Sequence, residues 1–281
     1  MADINLTVID PSTLDATGDR GTYDIDRFER KFLAQGDSWF SMGHFPPWAT
    51  TNLLDQMKLS RSCVAVNCAR PGVELAHMTD TVAAGDFLRL LTGRLAWNWD
   101  AVLFSGGGND LIDAVPDLLL PSTQWGVQPD ASRYISNAAW GTFSSHMEEV
   151  LLKLLNARDS GSINNGKPVF LHTYDYPTPR DAPAGPEMGP WLYPQMISFG
   201  IPAQDWEALA TSLIEALRTM WKTLARTYAA RNVVVVDSCG ALAPASSSDH
   251  GVSGDWENEI HPTPHGYTLL ADRWRPVLDL V

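Results

Sequence analysis

The chain has 281 residues and a formal net charge of −13, with 44% hydrophobic and 19% charged residues. This composition is typical of a globular protein with a large core and excludes a disordered chain. The acidic balance excludes nucleic acid as an expected partner, because phosphate binding needs clustered Lys and Arg. No apolar run approaches the ~20 residues of a membrane span, and no secretory leader is recognisable. We therefore expect a cytoplasmic protein without integral membrane association.

Five short apolar runs alternate with amphipathic segments, and we predict that these runs form strands. In chain order they cover residues 30–36, 62–67, 101–105, 168–172 and 232–237. The last run contains consecutive Val residues, which suits a strand covered on both faces. Residues 1–29, before the first predicted strand, are interpreted as an N-terminal extension.

Helices are predicted between these strands, because apolar residues repeat at helical spacing from Met147 to Leu155 and from Trp206 to Tyr228. Strands separated by helices pair in parallel, since each right-handed crossover needs a helix on a face of the sheet. The prediction is an α/β fold, a three-layer α/β/α sandwich around a five-stranded parallel sheet. We expect a single domain over residues 1–281, with the Pro-rich and aromatic segment 174–202 as a loop beside the substrate cleft.

Polar residues follow the predicted strands where a site would form. In open parallel sheets, ligands bind at the carboxyl ends of the strands. Ser38 follows the first strand, Gly72 the second and Asn109 the third, while His261 precedes the last predicted helix. A serine hydroxyl becomes a good nucleophile when a base such as His removes its proton. The Ser38 and Gly72 amides and the Asn109 side chain would then donate hydrogen bonds to the oxyanion.

These motifs resemble the SGNH (GDSL-type) hydrolase family of esterases and acylhydrolases. The family's sequence blocks match, in chain order, Gly36-Asp37-Ser38, Gly72, Gly107-Gly108-Asn109-Asp110 and His261. The resemblance covers residues 32–267. It implies a flavodoxin-like sheet of order 2-1-3-4-5 and ester hydrolysis through an acyl-serine.

The third catalytic residue is left open by the sequence. The family carries an Asp three residues before its catalytic His, where this chain has Asn258. Asn258 could accept the ring N–H through its amide oxygen, but it carries no charge to stabilise an imidazolium. Asp255, Glu257 and Glu259 are the nearby carboxylates, and a backbone carbonyl could serve a Ser-His dyad. We expect Asp255 to orient the imidazole, with Asn258 as the alternative.

Several aromatic residues are expected around the cleft. The predicted substrate pocket contains Trp39, Tyr174, Asp175 and Tyr176. Further tryptophans on segments near the cleft are Trp48, Trp125, Trp191 and Trp256. An aromatic wall suits acyl chains, aryl esters or sugar rings, and the sequence does not choose among them.

Two acidic residues of the motifs are expected to support the site rather than react. Asp37 is predicted to bond backbone amides of the turn that carries Ser38, and Asp110 to support Asn109. We expect no metal, since the histidines lack metal-ligand spacing, and no nucleotide cofactor, since the Gly106-Gly107-Gly108 run lacks the Lys-Ser/Thr of a phosphate loop.

The expected function is therefore that of a serine esterase acting on a small-molecule ester. A carbohydrate O-acetylesterase or a thioesterase would use the same catalytic groups and is the alternative among enzymes. A binding protein on the same fold, inactive because the family Asp is missing, is the alternative from another class.

Overall fold

The computed structural model describes residues 3–14, 24–41, 51–80 and 82–281. Its strands are β1 (Ile4–Asn5), β2 (Thr7–Ile9), β3 (Arg30–Gly36), β4 (Lys58–Leu59), β5 (Cys63–Asn67), β6 (Ala101–Ser105), β7 (Val169–His172) and β8 (Val233–Val236). Six of them form a parallel sheet in the order β2-β5-β3-β6-β7-β8, while β1 pairs with β4 in a short antiparallel ribbon. The carboxyl ends of the six parallel strands therefore lie along one edge of the sheet.

Helices flank the sheet and complete the predicted α/β architecture. They are α1 (Ser38–Ser41), α2 (Leu75–Met78), α3 (Gly85–Leu91), α4 (Gly108–Leu118), α5 (Asn137–Asp159), α6 (Tyr193–Ser198), α7 (Trp206–Thr227) and α8 (Pro264–Leu278). The predicted helices around Met147 to Leu155 and Trp206 to Tyr228 are confirmed as parts of α5 and α7. None of the helices in the described ranges is both long enough and apolar enough to span a bilayer.

All five predicted strands are confirmed, with the predicted order for β5-β3-β6-β7-β8. The predicted number of strands was wrong, because β2 adds a sixth strand at the edge beside β5. It comes from the segment interpreted as an extension, and its residues pair from Thr7↔Val64 to Ile9↔Val66. With three half-buried residues, β2 is too short and too exposed to show a periodic pattern.

The edge strand β8 is less covered than its sequence suggests. Val233 and Val236 are buried, whereas Val234 and Val235 are half-buried. The central strands β3 and β6 have a buried residue at every position near the carboxyl edge. Complete burial is thus reached at the centre of the sheet, where the strands have neighbours on both sides.

The close approach of β3 and β6 depends on a glycine. Gly36, the last residue of β3, pairs with Ser105, the last residue of β6. A Cβ on Gly36 would lie 2.7 Å from the Ser105 Cβ, which is too close for any other residue without displacement of the strands. The next residue, Asp37, donates its amide to the Ser105 carbonyl at 3.1 Å. The last residue of β3 and the residue after it are therefore both held against the end of β6.

Candidate active site

The turn that carries Ser38 is fixed by the Asp37 carboxylate. Its Oδ1 accepts hydrogen bonds from the Trp39 amide at 3.0 Å and from Ser105 Oγ at 2.7 Å. Tyr174 donates its hydroxyl to the other oxygen. The predicted bonding of Asp37 to backbone amides of this turn is confirmed, and two side chains add to it. Burial raises the pKa of Asp37 to about 6, against the lowering effect of these hydrogen bonds.

Ser38 and His261 meet directly at this edge of the sheet. Ser38 is the first residue of α1, so its amide has no acceptor within the helix. The His261 Nε2 lies 2.9 Å from the Ser38 Oγ, although the two residues are 223 positions apart. Both side chains are buried, with exposures of 7% for Ser38 and 6% for His261. This geometry places a base within hydrogen-bond distance of a hydroxyl in a largely dry environment.

The third partner is Asn258. Its Oδ1 lies 3.0 Å from His261 Nδ1. The same oxygen accepts the backbone N–H groups of Ile260 at 3.1 Å and of His261 at 3.0 Å. Because two backbone donors point at this atom, it must be the amide oxygen and not the nitrogen.

The fixed amide oxygen determines the tautomer of His261. An oxygen acceptor requires that Nδ1 carry the hydrogen, which leaves the Nε2 lone pair directed at the Ser38 hydroxyl. This is the tautomer that a general base needs. Burial lowers the pKa of His261 to about 4, so the imidazole stays neutral across the neutral and mildly acidic range.

The structure does not bring Asp255 to the imidazole, so the expectation that it orients His261 is corrected. Its Oδ2 accepts the Ala243 amide at 2.7 Å, and its Oδ1 lies 4.0 Å from His265 Nε2. The backbone carbonyl of Asp255 accepts the amide of Thr263, two residues after His261. This bond holds Asp255 at the base of the loop that contains His261. The alternative residue, Asn258, occupies the position beside the ring.

Two glycines place Asn109 at the start of α4. Gly107 has a φ of +99°, and a Cβ there would lie 3.0 Å from the Met147 side chain. A Cβ on Gly108 would lie 2.7 Å from the Tyr174 ring. The Asn109 Nδ2 donates to the Val73 carbonyl at 3.2 Å. Since the amide nitrogen carries two hydrogens, a second donor is left for a ligand.

Asp110 bonds the first residue of α2 and not Asn109, which corrects the prediction made for it. Both of its carboxylate oxygens accept the Leu75 amide, at 3.1 and 3.0 Å. Burial raises the pKa of Asp110 to about 6. Together with the bond from Asn109 to Val73, this contact ties the loop that contains Gly72 to α4.

Gly72 lies in a segment that runs beside the Ser38 turn. The Arg70 amide donates to the Gly36 carbonyl at 2.9 Å, which continues the parallel pairing of β5 with β3. Gly72 has a φ of +72°, a conformation that favours glycine. It is exposed and lines a polar pocket with Asn67 and Arg70, and it is absent from the lining of the cavity beside Ser38.

A narrow cavity of about 50 Å³ opens beside Ser38, and we call it the apolar cavity. Most of its lining is aliphatic or aromatic. It is lined by Asp37, Ser38, Trp39, Gly108, Asn109, Leu111, Ile112, Tyr174, Asp175, Pro177, Leu192, Ala210, Leu213, Ile214, Trp256 and Ile260. Trp39, Tyr174 and Asp175 therefore lie where the sequence predicted a pocket, and segment 174–202 contributes part of the wall.

Two more of the tryptophans predicted around the cleft lie at the site, since Trp256 lines the cavity and Trp191 packs against the His261 ring, with centroids 5.4 Å apart. Tyr176 and Trp125 lie elsewhere. Tyr176 is absent from the cavity lining and donates its hydroxyl to Glu215. Trp125 packs edge-on against Tyr134, with ring centroids 4.9 Å apart. Trp48 lies outside the described residues.

A buried carboxylate joins the loop that contains His261 to segment 174–202, a role that the sequence did not indicate. Glu259 is 0% exposed. Its oxygens accept the backbone amides of Trp191, of Leu192 at 2.9 Å, of Tyr193 at 2.7 Å and of Arg180 at 3.3 Å. The sequence signal was the acidic residue itself, two positions before His261, which we considered only as a partner of the imidazole.

Arg180 completes this connection and was also missed by the sequence analysis. It is 0% exposed, and its guanidinium donates to the Asn258 carbonyl at 2.8 Å and to the Asp249 carbonyl at 2.9 Å. Five donors in a rigid fork make Arg well suited to bind several carbonyls at once. The loop that positions His261 is therefore held from two sides by segment 174–202.

The residues described offer no cluster of three His, Cys, Asp or Glu side chains that could hold a metal ion. The chemistry that the arrangement can perform is attack by an activated hydroxyl, with hydrogen-bond donors close to the reacting oxygen. Ser38 and His261 are brought together as predicted, and Asn109 lines the same cavity.

Residues 32–274 match the family described as GDSL-like lipase/acylhydrolase. Among solved structures, an extracellular lipase from Streptomyces rimosus has a TM-score of 0.49 and 14% identity, covering 86% of this chain and 98% of that chain. An acetylxylan esterase, Axe2 from Geobacillus stearothermophilus, has a TM-score of 0.44 and 15% identity, covering 88% and 92%. A search of curated proteins gives no match.

Proposed function

Because the chain belongs to the GDSL-like lipase/acylhydrolase family, we propose that it is a serine esterase that cleaves carboxylic esters through an acyl-serine intermediate. The observation that carries the proposal is the 2.9 Å contact between His261 Nε2 and Ser38 Oγ. A nucleophile and a base at this distance, with the base oriented by a third group, are the signature of an activated serine.

The reaction begins when the Ser38 oxygen attacks the ester carbonyl carbon and His261 Nε2 takes the hydroxyl proton. The resulting imidazolium returns this proton to the leaving alcohol oxygen as the C–O bond breaks, which leaves an acyl-serine. Water then attacks the acyl carbon with His261 again as base, and the acid and free Ser38 are released. Asn258 holds the ring through the whole cycle.

The oxyanion formed in each attack needs donors that are already in place. We assign this role to the amides of Ser38 and Gly72 and to the Asn109 side chain. Support comes from the free hydrogen of Asn109 Nδ2 and from the bonds on either side of Gly72, which join Arg70 to Gly36 and Val73 to Asn109. Loss of one such donor typically costs about 2.7–4 kcal/mol of transition-state stabilisation.

A fluorophosphonate probe tests the proposal, because it reacts only with an activated serine. We expect one phosphonyl group per chain, located on the peptide that contains Ser38 by mass spectrometry. Heat-denatured protein is the control, since it has the same hydroxyls without the base. An unlabelled native protein would favour the alternative of an inactive binding protein on this fold.

Replacing Asn258 by Asp is expected to move the acidic limb of the kcat/KM profile to higher pH. With Asn258, the base is neutral and active above a pKa of about 4. A carboxylate beside Nδ1 favours the imidazolium and raises that pKa by about 1–3 units. Esterase activity of the variant should therefore fall at acidic pH, where the native enzyme still turns over, as measured by initial rates across the acidic range.

The matched control for this pH profile is Asp255→Asn, which removes the other carboxylate of the same loop. We expect its acidic limb to coincide with that of the native chain. Asp37 titrates with a raised pKa of about 6 behind Ser38, and it is unchanged in both variants. A shift in the Asp255 variant with none in the Asn258 variant would refute the assignment of Asn258.

A further inference from the structure

The apolar cavity determines which part of an ester can bind beside Ser38. During the reaction the leaving oxygen must lie next to His261 Nε2, which protonates it. Asn109 and Ser38 line the cavity, whereas His261 is absent from its lining. Trp256 and Ile260 of the same loop do line the cavity, but the ring that must protonate the leaving alcohol does not. We therefore infer that the cavity takes the acyl group, which stays on Ser38 after the alcohol has left.

The chemistry of the lining favours an aliphatic group. Helix α4 contributes Leu111 and Ile112, and helix α7 contributes Ala210, Leu213 and Ile214. All of these side chains are buried or half-buried, and they present only methyl and methylene groups. Burial of a methylene group in such a place contributes about 0.8 kcal/mol to binding.

The carboxylates in the lining are already engaged and do not offer a sugar its usual partners. Both oxygens of Asp37 accept hydrogen bonds from the surrounding turn. The Asp175 carboxylate accepts the backbone amides of Tyr176, Gly240, Ala241 and Leu242. A polyhydroxylated ring placed here would lose its hydrogen bonds to water without replacing them.

The size of the cavity limits the length of the acyl chain. A cavity needs about 10–15 Å³ to hold one water-sized group. At about 50 Å³, this one has room for only a few such groups. The small volume favours a short acyl chain, in the range of butyryl to hexanoyl, over a long chain such as palmitoyl.

We propose that the apolar cavity binds the acyl chain of esters of short, unbranched aliphatic acids, from butyryl to hexanoyl, and that Ala210 and Ile214 of α7 set the permitted length. The inference rests on the proposed function of Ser38. Ala210 is the smallest apolar side chain that α7 presents to the cavity, so a larger residue there fills it.

The test compares kcat/KM for the p-nitrophenyl esters of acetate, butyrate, octanoate and palmitate. We expect butyrate to be the best of the four for the native chain. In Ala210→Phe, the ratio of butyrate to acetate should fall by about tenfold to a hundredfold, the usual effect of a few methylene contacts. Ala208→Phe, on the exposed face of the same helix, is the matched control and should keep the native ratio.

Because a phenylalanine at a buried position can disturb folding, Ile214→Ala provides a second variant with the opposite effect. It lengthens the cavity and should raise the ratio of octanoate to butyrate by about tenfold. A native preference for palmitate or for acetate, or unchanged ratios in both α7 variants, would overturn the acyl assignment. Failure of the proposed function is distinguishable, since it would appear as full ester turnover in Ser38→Ala whatever the chain length.

Discussion

Replacing Ser38 by Ala is expected to lower kcat for p-nitrophenyl esters by about 10⁴–10⁶, the range found when a serine nucleophile is removed. The hydroxyl contacts His261 Nε2, and the rest of the turn is held by Asp37, so the fold should remain intact. The measurement is ester turnover together with the thermal unfolding curve. A variant that unfolds like the native chain and retains full turnover would refute the assignment of Ser38 as the nucleophile.

The same measurement on His261→Ala and on the double variant tests whether the two groups act as one unit. Each single variant should lose about as much kcat as the double variant, because the base has no role without the nucleophile. Ser41→Ala is the control on the same helix. Among the described residues its hydroxyl donates to the Asp37 carbonyl, away from His261, so turnover should stay close to the native value.

Replacing Glu259 by Ala is expected to lower the free energy of unfolding by at least about 4 kcal/mol. Four backbone amides bond its carboxylate, and each buried donor left unpaired costs about 1–3 kcal/mol. Segment 174–202 would lose its attachment to the loop that carries His261. Chemical denaturation followed by fluorescence, which the tryptophans supply, measures the change.

The neighbouring Glu257→Ala provides the control for this stability measurement. Glu257 is half-buried in the same loop, and substitutions away from buried networks usually change stability by less than about 0.5 kcal/mol. Equal stability losses in the two variants would contradict the role assigned to Glu259. So would a native-like denaturation midpoint in the Glu259 variant.

The central sheet was predictable because its strands are buried on both faces. The run at residues 30–36 gave the bounds of β3 as the structure has them, and its last five residues are all buried. Strand β2 was not predictable in this way. Its pairing depends on a neighbour, β5, that lies more than fifty positions further along the chain, and single-sequence patterns do not report such distant contacts.

The site was predictable as far as the rule for strand ends reaches. From the sequence alone, that rule places Ser38 and Asn109 at one edge of the sheet. This rule does not decide whether Asp255 or Asn258 is the partner of the His261 imidazole. Which side chain reaches the imidazole depends on backbone bonds inside the loop, such as that from the Glu257 amide to the His261 carbonyl, and no periodicity encodes these bonds.

The role of Glu259 shows a second limit of sequence reasoning. A carboxylate near a catalytic histidine suggests an electrostatic partner, yet this one binds peptide N–H groups from a segment about seventy residues earlier. The same holds for Arg180, whose charge is used to bind carbonyls. Charged residues in irregular segments have many possible partners, and only the folded chain selects among them.

The great sequence separation of Ser38 and His261 has a consequence for biosynthesis. Ser38, the proposed nucleophile, begins α1, and His261, the proposed base, lies in the loop before α8. Because synthesis proceeds from the N-terminus, Ser38 is made long before the residue proposed to deprotonate it. Under the proposed function, esterase activity therefore appears only after His261 has been synthesised and its loop has folded against Ser38.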